Sequence, residues 1–133
     1  MLYRSHHHSP YVTDLKLKKK SHALQIGFNT GESFTLSCEM LRVYSPSAEV
    51  QGHGKPILVT HKKNINITAM EPLGNYAVKI TFDDGHDTGL YSWEYLYRLA
   101  TEQATLWQTY LTRLDDAKAS REPLIDMVVK YHQ

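Results

Sequence analysis

The chain has 133 residues, 41% of them hydrophobic, enough for one domain that buries roughly two thirds of its unfolded surface. Fifteen Lys and Arg against fourteen Asp and Glu leave a formal net charge of +1, which supplies no global field for nucleic acid or an anionic membrane. The one cysteine, Cys38, excludes an internal disulfide and any all-cysteine zinc or iron–sulfur site, and no apolar run approaches the roughly 20 residues that span a bilayer.

The N-terminal stretch MLYRSHHHSPYV lacks the apolar segment of a signal peptide, so the expected location is cytoplasmic. Residues 1–13 read as a flexible tail whose His6, His7 and His8 bind metal only adventitiously. Residues 14–115 read as the single domain. Leu15 and Leu17 alternate with lysines; Leu24, Ile26 and Phe28 alternate again; Asn29-Thr30-Gly31-Glu32 turns the chain into Phe34 and Leu36. This predicts a three-stranded meander. Lys16, Lys18, Lys19 and Lys20 fit a solvated edge that discourages strand pairing, and binding of nucleic acid through them is disfavoured.

Ser37 can cap a short helix over Cys38 to Arg42, and Pro46 and Gly52 then force a long loop to about Lys63. Ile65 and Ile67 open another strand that ends before Pro72, and Tyr76, Val78, Ile80 and Phe82 form the next. Asp84-Gly85 is a two-residue type I′ hairpin signal, with His86 to Tyr91 returning as its partner. From Ser92, a candidate N-cap, one helix is predicted with Trp93, Leu96, Ala100, Ala104, Trp107, Leu111 and Leu114 on its apolar face. Trp93 and Tyr97 should face the core and Tyr95 the rim. Residues 116–133 read as a tail, in which Pro123 can start a short helix carrying Leu124, Ile125, Val128 and Tyr131. No internal repeat is visible. The expected fold is α+β, with an antiparallel β-sheet of about five to six strands, a short helix after the first meander and a long C-terminal helix packed on it.

Two separated stretches, LRVYSPSAEVQGHG at 41–54 and NYAVKITFDDGHDTGLYSWEYL at 75–96, resemble the gamma-butyrobetaine hydroxylase N-terminal-like domain, a family of small bacterial domains of unknown function. The resemblance covers about residues 14–100. It implies a domain that precedes an oxygenase in carnitine-synthesising enzymes and there holds zinc with three cysteines of a C-x-C-x-x-C loop and the histidine of a D-x-H turn. Similar domains are also joined to a P-loop ATPase of iron–sulfur scaffolding. His86 stands at that histidine's place, but Ser45, Pro46, Ser47 and Ala48 fill the cysteine loop and Cys38 comes several residues early. Serine hydroxyls are poor zinc ligands beside thiolates.

Oxygenase activity does not carry over. None of the eight histidines is followed two positions later by Asp or Glu, as an iron-binding H-x-D step requires. The chain is therefore expected not to be an enzyme. Cys38 beside Glu39 has no evident cation to stabilise a thiolate. His86 keeps two readings: a structural residue just after a hairpin turn, or a metal ligand with Asp84 or His53 as partner. No cofactor is expected, with zinc or iron as the alternative. The functional expectation is an accessory domain that engages another protein through Arg42, Tyr44, Ser45, Pro46, Glu49, Tyr91 and Trp93, with metal binding linked to cofactor assembly as the alternative.

Overall fold

The computed structural model describes residues 9–52 and 54–124. Six strands and four helices follow in the order β1 (Val12–Lys18), β2 (Ala23–Phe28), β3 (Ser33–Ser37), α1 (Cys38–Val43), α2 (Ala48–Gln51), β4 (Ile67–Leu73), β5 (Ala77–Phe82), β6 (Gly89–Ser92), α3 (Trp93–Thr101) and α4 (Gln103–Asp116). The class is α+β, as the alternation of apolar residues predicted. The sheet differs from expectation. Instead of one sheet there are two of three strands each, ordered β1-β2-β3 and β4-β5-β6, all pairs antiparallel. Strand order is invisible in alternation, which reports which face is buried and says nothing of which neighbour is paired.

The two sheets and the helix after each are one design used twice, a repeat the sequence did not disclose. Both first strands carry a bulge at the same place, between Val12 and Asp14 and between Ile67 and Ala69. Both second strands pair their opening residue with a serine, Ala23 with Ser37 and Ala77 with Ser92. Each serine then caps a helix, Ser37 Oγ accepting from Met40 N at 3.0 Å and Ser92 Oγ from Tyr95 N at 3.1 Å. The turns match too. Phe28 N donates to Glu32 O and Gly31 N to Phe28 O; Phe82 N donates to His86 O and Gly85 N to Phe82 O.

Those bonds correct the expected type I′ turn. Of the turn residues only Gly85, with φ of 89°, has positive φ, so Asp83-Asp84-Gly85 is a three-residue loop closed by a left-handed glycine. The strand after it accordingly starts at Gly89, not His86.

Neither sheet closes its own core. Leu24, Ile26, Phe28 and Leu36 of the first unit and Ile67, Val78, Ile80, Phe82 and Tyr91 of the second share one buried cluster, with Leu41 of α1 and Leu96 and Leu99 of α3. The predicted single helix breaks at Glu102, whose φ of −104° and ψ of 12° leave the helical region. Thr101 Oγ1 donates back to the carbonyls of Tyr97 and Arg98, a local alternative to continued helix. The break shifts the apolar face. Ala104 is exposed, while Tyr110 and Leu114 join Val43 in a second small cluster.

Past α4 the chain doubles back. Ser120 and Arg121 accept at their carbonyls from His61 N and Lys63 N, both at 2.9 Å. The Arg121 guanidinium grips the Glu39 carboxylate at 2.8 and 2.7 Å and lies 5.0 Å from the Trp107 ring centroid. Glu39 is only 3% exposed, so this clasp keeps a buried carboxylate from standing alone. The helix expected from Pro123 falls, apart from Leu124, outside the described residues.

Removing Arg121 leaves that carboxylate without its cation. Arg121→Ala should lower unfolding free energy in urea by about 2–4 kcal/mol, a range discounted for the guanidinium's partial exposure. Adding Glu39→Met should recover most of the loss. A cost under about 1 kcal/mol would mean that the clasp contributes no more than a surface pair.

Candidate functional site

The two sequence signatures meet in space. α1 leaves the first unit and its C-terminal end is captured by the second unit's hairpin. Tyr91, 0% exposed on β6, donates its hydroxyl to the carbonyl of Leu41 at 2.6 Å. Arg42 Nε and Lys62 Nζ both reach Asp84 Oδ2 at 2.8 Å, while Asp84 Oδ1 accepts from the backbone N–H of His86 at 3.0 Å. Burial alone raises the Asp84 pKa. The hydrogen bonds from Lys62, from the His86 backbone and from Arg42 outweigh it and bring the carboxyl down to about 2.

One residue pair inside this knot has the spacing of a nucleophile and its base. His86 Nε2 lies 2.8 Å from Ser45 Oγ, and Ser47 N donates to the same hydroxyl. Yet Ser45 is 0% exposed and no described cavity is lined by either partner. The hydroxyl is closed off from solvent, and the pair ties the loop to the hairpin. Burial and the nearby Arg42 charge push the His86 pKa down, against weaker upward pulls from Glu49, Asp84 and Asp87. Gly89 completes the fit. A Cβ there would stand 2.6 Å from Ser45 Oγ and 3.0 Å from the Tyr91 ring.

The zinc of the hydroxylase domains does not fit these residues. The imidazole is held by a hydroxyl, the Asp84 carboxylate is taken by two cations, and Arg42 Nη1 is a further buried donor with no partner among the described residues. Such a setting repels a divalent cation. Among the described residues no three His, Cys, Asp or Glu side chains gather as a metal site, and His53 lies outside them. Cys38 sits elsewhere, its thiol against Asn66 Oδ1 and its pKa pushed up to about 11 by burial.

The expected interaction residues divide. Ser45 and Tyr91 are fully buried and so leave the surface; Trp93 is half-buried with its indole N–H on the Asn75 carbonyl. Glu49 is exposed and accepts from Thr88. Tyr44 and Pro46 do reach a concave surface. It is a groove of about 480 Å³ between the 43–56 loop and helices α3 and α4. Tyr95, expected at the rim, is half-buried with its hydroxyl on the Tyr44 carbonyl, and Tyr44 in turn donates to Leu106 O at 2.6 Å. Arg98 and Arg113 of the same groove, and Lys62 at the Asp84 pair, escaped sequence reasoning because they sit in no motif and far along the chain.

Residues 15–97 match the family described as gamma-butyrobetaine hydroxylase-like, N-terminal. The chain belongs to this family. A protein solved by NMR in solution is 68% identical, with 100% of this chain and 99% of that one covered and a TM-score of 0.77. A second NMR structure is 46% identical over 94% of this chain and 99% of its own, again at 0.77. A crystal structure of a DUF971-family protein of unknown function from Acidithiobacillus ferrooxidans is 32% identical, covers 68% of this chain and 92% of its own, and scores 0.59. No curated protein matches. The gamma-butyrobetaine hydroxylase-like pattern thus spans both repeated units, and the two stretches that carry it are the two that bond across them.

The depressed His86 pKa has a direction in pH. Below the ordinary histidine value of 6.5 the unfolded chain takes up a proton that the folded chain resists, so stability is present above that value and is lost as pH falls through the window beneath it. Urea midpoints of the wild type should fall more steeply from pH 7.5 to 5.5 than those of His86→Gln. Parallel profiles would show that the imidazole is not held neutral.

Proposed function

We propose that the chain is a non-catalytic accessory domain that engages another protein through the groove beside the 43–56 loop. The observation that supports this reading is how the motif residues are used. Ser45, Asp84, His86 and Tyr91 are taken up by bonds within the chain, and their effect is to hold Tyr44 and Pro46 where they wall that groove. Apolar floor, aromatic walls and a cationic rim are the composition of a protein-binding surface. The family's description, which sets such a domain at the N-terminal side of a hydroxylase-like arrangement, supports a role beside other protein domains.

The test is a photo-reactive benzoylphenylalanine placed in cells at Thr109, which is exposed and lines the groove, or at Lys16 on the far edge of the first sheet. A discrete adduct from position 109 that is absent from position 16 is expected. No adduct from 109, or the same adduct from both positions, would contradict the reading.

A further inference from the structure

The groove's charge says what kind of segment it takes. Its floor is Val43, Leu99 and Leu106, and its walls include Tyr44 and Tyr95. Both tyrosine hydroxyls are already bonded to carbonyls, so these side chains offer only ring surface. The charged lining residues are Arg98 and Arg113, and among the described residues no carboxylate lines the groove. Arg98 is more than half exposed, and its partner is Glu102 at 3.5 Å, a solvent-facing pair that contributes little and exchanges readily. Arg113 places Nη2 on the carbonyl of Pro56, which aims a planar group with five N–H donors along the groove wall while using one atom of it.

A concave, largely apolar surface edged by two guanidinium groups, with no acid among its described lining residues, complements one chemistry. We propose that the groove binds an acidic, apolar peptide segment of a partner protein, an apolar side chain lying on Leu106 and the Tyr44 and Tyr95 rings and a carboxylate meeting Arg98 or Arg113. This rests on the protein-binding reading above and narrows it. A basic segment would face the two arginines with nothing to pair, and a purely apolar one would strip water from them without compensation. Pro46 and Pro56 at the edge limit how far the loop can deform to accept something else. About 480 Å³ is room for a few side chains, not for a folded domain, so what enters is a short stretch of chain.

The experiment pans the full chain against a random linear peptide library and measures the enriched peptides by fluorescence polarisation. Enriched sequences should combine Asp or Glu with Leu, Phe, Met or Trp, and their amide shift changes should fall on Thr109 and Gln51. Arg113→Glu and Arg98→Glu should each weaken binding by about tenfold or more, Arg113→Lys by less, and added salt should weaken the wild type. Both arginines lie at the groove surface, and unchanged circular dichroism of the reversals would confirm that they fold. Enrichment without acidic residues, affinities indifferent to both reversals, or shift changes confined to another face would each overturn the proposal. An adduct at position 109 alongside such a failure would leave the protein-binding reading standing and remove the acidic segment alone.

Discussion

The structure depends on one exchange between its two halves, in which each unit's helix is bonded to the other unit's hairpin. On one side the Leu41 carbonyl, at the end of α1, is capped by the buried Tyr91 hydroxyl and Arg42 reaches Asp84. On the other, Tyr97 lies against Phe28 with ring centroids 5.1 Å apart and donates to Glu32 at 2.7 Å. Arg42 and Tyr97 are each the fifth residue after their capping serine. The constraint behind the exchange is area. A unit of only about 30 residues buries too little of its surface to be stable alone, and here the two pool their inner faces in one cluster.

That exchange also decides what the motif residues can do chemically. A histidine beside a serine and near three aspartates has the inventory of a hydrolase or a metal site. Geometry assigns it otherwise. The serine hydroxyl meets the imidazole away from solvent, and Asp84 pairs with two cations. For Asp84 the bonds it accepts outweigh the cost of burial; for His86 burial and the Arg42 charge outweigh three carboxylates. Both groups are therefore held in the ionisation state that suits packing, and the loop they anchor carries the concave surface.

Much of the fold was legible because the local signals were strong: alternation in Leu24, Ile26 and Phe28, the serine caps at Ser37 and Ser92, and the glycine turns at Gly31 and Gly85. What was not legible was non-local. The split into two sheets is a pairing choice that alternation does not record. The repeat is masked by a one-residue difference in spacing, 6 residues from Gly31 to Ser37 against 7 from Gly85 to Ser92, and by different side chains at most matched positions. The helix break falls at Glu102, next to a threonine whose hydroxyl bonds backward, and the apolar period runs through it without a mark. The site was half legible. The residues of the two signatures were named, but Ser45 and Tyr91 looked available when they are buried, and Arg98 and Arg113 converge on the groove from positions with no shared pattern.

The Ser45, Asp84 and His86 contacts hold the segment around Tyr44 to Gly52 in place. Native-state hydrogen exchange on Ser45→Ala measures this directly, because the amides of Val50, Gln51 and Gly52 bond within that loop and Ile57 bonds to it. These four amides and that of His86 should lose more protection than the β1–β2 ladder does. Equal loss everywhere, or an unaltered loop, would contradict it.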